Sequence, residues 1–116
     1  MATGRALAPL RSEGILIVGS GLSYHNLRAF GPRGAAASHK FDQWLTAAVC
    51  GAQGEERNRK IQYWEEGPGA RQAHPQEDHL IPLMVAVGAA KKEPGERVYH
   101  EDTFMGGISV SSYRFG

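Results

Sequence analysis

The sequence has a single cysteine, no long apolar run and almost no net charge. Each shortage removes a class of protein. Cys50 alone can form neither an internal disulfide nor a cysteine-based metal site. Within Leu45-Thr46-Ala47-Ala48-Val49-Cys50 it reads as a small buried hydrophobe. No apolar stretch reaches membrane-spanning length, and the amino terminus lacks a secretory hydrophobic region. A soluble, cytoplasmic protein with no membrane partner is therefore expected. A net charge of +1 argues against a dedicated nucleic-acid binder, which needs a marked basic excess. No repeat of solenoid or propeller period is visible.

What remains is an ordinary globular composition, 41% hydrophobic and 22% charged over 116 residues. That length suits one domain or part of one, with a single core. The 15 glycines imply several tight turns. Charge is uneven: Arg5, Arg11, Arg28, Arg33 and Lys40 stand against Glu13 alone in the first forty residues. The excess suits an anionic ligand near the turn at Gly19 to Gly21 or, more simply, a solvated face.

Ala6 to Ser12 reads as the end of a helix stopped by Gly14. Ile15-Leu16-Ile17-Val18 reads as a strand buried on both faces, as in a parallel sheet. Phe30 to Ser38, with Gly31, Pro32 and Gly34, is expected to be a mobile surface loop. Ser38 then serves as N-cap of a helix whose Phe41, Trp44, Leu45, Ala48 and Val49 share one face. Glu55 to Glu65 forms a second helix, ended by Gly67-Pro68-Gly69. Leu80 to Ala90 forms an apolar one with Pro82 in its first turn. Arg97 to Tyr99 suggests a short strand, and Ile108 to Phe115 alternates as a half-buried strand should.

The strand at 15–18 runs into Gly19-Ser20-Gly21 and then His25, at the sheet edge where α/β proteins collect ligands. A dinucleotide fingerprint on Gly19 and Gly21 needs a third glycine where Tyr24 stands. A phosphate-cradling loop needs Gly-Lys-Ser/Thr, which is missing. Neither Ser20 nor Ser23 sits in Gly-x-Ser-x-Gly. The glycines instead permit a sharp turn that aims His25 inward. Neutral imidazole ligates Fe(II) or Zn(II) and shuttles protons near neutral pH, although a lone histidine after a strand also serves as a structural hydrogen-bonder. His79 follows Glu77 and Asp78 at the start of the apolar helix. A carboxylate there orients a ligating imidazole, or simply complements the helix dipole. His74 is expected on a loop rim, and His39 and His100 at the surface.

Two blocks carry a resemblance. Gly14 to Phe30, with Ser23-Tyr24-His25-Asn26-Leu27-Arg28, and Ala73-His74-Pro75 followed by Glu77-Asp78-His79-Leu80-Ile81-Pro82-Leu83 are similar to the histidine blocks of one family. Trp64, Pro68, Ala70-Arg71, Gly88-Ala89-Ala90 and Ser111-Ser112-Tyr113-Arg114-Phe115-Gly116 extend the likeness. The chain resembles the DOPA-dioxygenase-like (LigB-type) branch of the class III extradiol ring-cleavage dioxygenases. The resemblance implies an α/β fold with a central, mostly parallel sheet flanked by helices, of which residues 1–116 are a single partial domain. It implies opening of a catechol-type ring by dioxygen at a non-haem metal, Fe(II) or Zn(II). It makes His25 a metal ligand or catalytic acid/base and His79 a metal ligand. The family's other metal histidines lie in its amino-terminal part, so two histidines alone should hold the ion weakly. A missing amino-terminal portion, or a homo-oligomer, would then complete the fold. The alternative is a non-catalytic α/β fragment acting through self-association or a partner subunit.

Overall fold

The computed structural model describes residues 1–116, in the order α1 (Ala2–Arg11), α2 (Ala35–Cys50), α3 (Gly54–Gln62), α4 (Ala70–Ala73), α5 (Ile81–Ala90), β1 (Gly95–Phe104) and β2 (Ile108–Phe115). Single 3-10 turns at Gly31–Gly34 and Trp64–Glu66 precede α2 and α4. No helix is long and apolar enough to cross a membrane.

Helix α2 is the spine. Phe41, Leu45, Ala48 and Val49 recur at helical spacing and are all buried. They meet Ile61 of α3, Trp64, Val87 of α5, and Ile108 and Val110 of β2 in one core. The helix begins at Ala35, not at Ser38, and the expected loop is mostly ordered helix. The 3-10 turn runs directly into it, and Ala35-Ala36-Ala37 is the best helix-forming composition available. Ser38 is thus inside the helix and wholly buried. Its Oγ donates to the Ala35 carbonyl at 2.8 Å and accepts from the Ser109 amide at 3.0 Å, which pins β2 to the spine.

The hairpin is antiparallel, pairing Arg97 with Tyr113, His100 with Ser111 and Phe104 with Ile108. Met105, Gly106 and Gly107, all at positive φ, make its turn. On α2 the buried carboxylate of Asp42 accepts the Ser111 hydroxyl at 2.7 Å and faces Arg97 at 3.6 Å and His100 at 3.3 Å. Arg57 of α3 is also fully buried. Its guanidinium donates to the carbonyls of Glu93 at 2.6 Å and Lys91 at 2.8 Å and lies over the Phe115 ring. It therefore satisfies carbonyls just past the end of α5.

The protein is α/β, but its one sheet is this two-stranded antiparallel hairpin. A central parallel sheet does not form within these residues. Ile15 to Val18 is not a strand: from Leu16 to Tyr24 no backbone group bonds to another backbone group. Leu16 is 84% exposed and Val18 73%, while Ile17 is half-buried. The reason is the lack of a partner. A strand is stable only beside a neighbour that takes its N–H and C=O groups, and neither strand of the hairpin lies in register beside residues 15–18 to do so.

Candidate functional site

The segment 15–22 still has a defined place, beside the start of α5. A side chain at Gly19 would meet the Pro82 carbonyl oxygen at 2.5 Å, and one at Gly21 would collide with the His79 carbonyl. These glycines are needed for close approach to the second histidine block, and neither takes a positive φ. Tyr24 then turns into the core and donates to the Ala29 carbonyl at 2.6 Å, closing the loop around His25.

Three hydrogen bonds hold that loop to the end of α4. The His25 amide donates to the Ala73 carbonyl at 2.8 Å, and Asn26 Nδ2 to the Gln72 carbonyl at 2.7 Å. His74 Nε2 lies 2.8 Å from the Ser23 carbonyl. A carbonyl only accepts, so Nε2 carries the proton and Nδ1 is bare. His74 is not on a rim: it is wholly buried, edge-on to Phe41 and Trp64. Burial pushes its pKa below the usual imidazole value, which keeps it neutral. From α4 the chain passes through a short loop braced by Arg71, which bonds the Pro75 carbonyl at 3.2 Å and faces Glu65 at 3.0 Å and Glu77 at 3.5 Å. The amides of Leu80 and Ile81 both donate to the Glu77 carbonyl, making the turn that presents Asp78 and His79.

The two blocks meet. The rings of His25 and His79 stack with centroids 3.5 Å apart and planes 6° from parallel. Asp78 joins them, and one ligand atom from each of the three residues lies within 4.8 Å of the others. Two imidazoles and a carboxylate are a donor set that suits non-haem Fe(II) and also Zn(II). Imidazole lone pairs lie in the ring planes, and these two planes are nearly parallel and offset by the stack, so joint coordination of one ion in line with both lone pairs requires one ring to tilt. Beside the stack runs a groove of about 390 Å³, lined by Leu16, Leu22, His79, Leu83, Tyr113 and Phe115. Both histidines are half-buried and Asp78 is exposed, so the cluster is accessible.

The sequence profile of the catalytic LigB subunit of aromatic ring-opening dioxygenases matches residues 1–116. The chain belongs to this family. Similar LigB-family relatives include a 4,5-DOPA dioxygenase extradiol of Beta vulgaris, 37% identical over 115 residues, or 97% of this chain and 42% of that protein. One of Mirabilis jalapa is 35% identical, with the same coverage of 97% and 42%. A crystal structure of an uncharacterized Escherichia coli K12 protein superposes with a TM-score of 0.82 at 29% identity, covering 98% of this chain and 48% of that one. This LigB-family chain thus spans less than half the length of the relatives it matches.

The two site residues expected from the sequence, His25 and His79, come together, whereas His39 beside Ser109 and His100 between Asp42 and Asp102 are exposed, as expected of surface residues. Asp78 as a full member of the cluster, and the complete burial of His74, were not anticipated. Adjacency to His79 was the available signal for Asp78. For His74 the one signal was its place in the Ala73-His74-Pro75 part of the second block, and its burial could not be read because that depends on Phe41 and Trp64 from distant elements.

Proposed function

We propose that this chain is the carboxyl-terminal portion of an extradiol dioxygenase that opens a catechol-type ring with molecular oxygen. The observation that carries the reading is the stack of His25 on His79 with Asp78 alongside, where His79 also lines a largely apolar groove. His25, Asp78 and His79 would hold Fe(II) or Zn(II). The metal, when bound, supplies a Lewis-acidic centre for the two catechol oxygens and for dioxygen. The chain's own part is to position and to move protons. Where Asp78 and His79 hold the ion and His25 does not ligate, the bare imidazole nitrogen of His25 would accept a proton from the catechol hydroxyl, while the leucines of the groove shield the ring from water. The 4,5-DOPA dioxygenases of Beta vulgaris and Mirabilis jalapa among its relatives support a phenolic substrate of this class.

Three donors, one of them exposed, leave the ion weakly held, so the rest of the ligand set would come from an amino-terminal portion. In that whole protein residues 15–18 would join a parallel sheet. The test is anaerobic loading with Fe(II), addition of DOPA and air, and absorbance of the yellow ring-opened product. We expect no enzyme-like turnover by this chain alone, turnover when the amino-terminal portion of a relative is added, and loss of that turnover in His25→Ala. Turnover that survives both His25→Ala and His79→Ala would sink the site assignment.

The exposure of Leu16 and Val18 favours a second reading, a non-catalytic fragment that self-associates through this edge. It predicts a concentration-dependent dimer in sedimentation and no turnover with any amino-terminal portion.

A further inference from the structure

His74 belongs to neither the groove nor the metal-competent cluster, yet it is one of three buried side chains, with Arg57 and Asn58, that leave a polar atom without a hydrogen-bond partner. Its ring is completely buried, Nδ1 has no hydrogen-bond partner, and Nε2 has one, the Ser23 carbonyl. An apolar ring of the same size would fill the space beside Phe41 and Trp64 without an unsatisfied nitrogen, and such groups destabilise a core. The only polar service His74 gives is therefore to residue 23. Ser23 lies two residues before His25, and its Oγ also accepts the Ser111 amide of β2 at 2.9 Å. His74 itself stands five residues before His79, at the start of the loop that carries the second block. One side chain thus links the backbone of the first histidine block to the chain leading into the second.

We infer that His74 is the positioning residue of the site: its hydrogen bond to the Ser23 carbonyl, acting with the Ala73–His25 backbone bond, sets the His25 ring against the His79 ring. The inference builds on the proposed metal-centred function but is readable without metal, since the stack is present in the protein by itself. A group that orients a metal-binding imidazole typically changes metal affinity by about 10- to 100-fold when removed.

The experiment compares His74→Gln, whose amide nitrogen reaches the position of Nε2, with His74→Asn, whose shorter amide does not. His74→Phe fills the volume without any donor. The primary readout is the through-space NMR contact between the His25 and His79 ring protons in the full chain without metal. Zn(II) affinity by calorimetry is the second. We expect the contact in wild type and His74→Gln, and its loss in His74→Asn and His74→Phe, with Zn(II) binding weakened about tenfold in both. If His74→Phe fails to fold, the Gln and Asn pair decides. Retention of the ring contact in His74→Asn or His74→Phe overturns the inference. So does its loss in folded His74→Gln, which would trace the effect to ring packing. Absence of Zn(II) binding in wild type, with the ring contacts behaving as expected, would remove the metal reading and leave the positioning role standing.

Discussion

Two segments, Ile15 to Val18 and Ile108 to Phe115, both read as strands in the sequence and end differently. The second has β1 beside it and α2 beneath it, and Ile108 and Val110 are buried at 0% and 7% exposure. The first has only the approach of α5 on one side, and Leu16 and Val18 stay in solvent. β-Propensity states a fit to a pleated, half-covered surface, and that surface must be supplied by another part of the protein. The hairpin finds its surface within these 116 residues. The segment before the first histidine does not, although it carries the loop on which the site depends.

The sharpest way to break this contrast is to truncate one residue on each side. Ile108→Ala should destabilise the protein by about 2–5 kcal/mol in urea melts, the range for a large buried aliphatic. Leu16→Ala should change stability by less than about 0.5 kcal/mol. Equal losses would mean that residues 15–18 are covered in solution. Arg57→Leu should cost roughly 2–3 kcal/mol, because the carbonyls of Lys91 and Glu93 lose their buried donor.

A smaller effect sharpens the contrast through pH. The folded-state pKa of His74 lies below its ordinary value of 6.5 because of burial. Between those two values the unfolded chain binds more protons than the folded one. Stability should therefore fall as pH drops below about 6.5, by at most ~1.4 kcal/mol per unit from this group. His74→Gln should show a correspondingly flatter acid limb in melts from pH 7 to 5, and an unchanged limb would contradict the burial of a neutral ring. The smallest effect on stability belongs to Val18→Lys, which should leave the melting midpoint nearly unmoved while abolishing any self-association seen by sedimentation.

Much of the site was legible because it is written in short, local motifs. The turn before His25, the acids before His79 and Pro82 at the start of α5 each declare themselves within a few residues. The core face of α2 was equally plain from its helical spacing. The parallel sheet expected around Ile15 to Val18 does not form within these residues, since pairing is a property of two segments and an apolar run in one of them does not reveal a partner. Ser38 was placed at a helix start because serine favours caps. Its actual role, bonding the Ser109 amide, comes from a residue 71 positions away. His74 and Asp42 illustrate the same limit: a polar side chain becomes buried through distant partners that no local pattern records.

The central claim is that the two histidine blocks form one metal-competent site in this chain. Titration of Zn(II) into the protein, followed through the histidine ring resonances and by calorimetry, tests it most directly in wild type, His25→Ala, Asp78→Asn and His79→Ala. The account predicts weak binding that shifts the His25 and His79 resonances together and is reduced by each of the three substitutions. Binding that leaves both rings unperturbed, or that survives His25→Ala and His79→Ala undiminished, would contradict it.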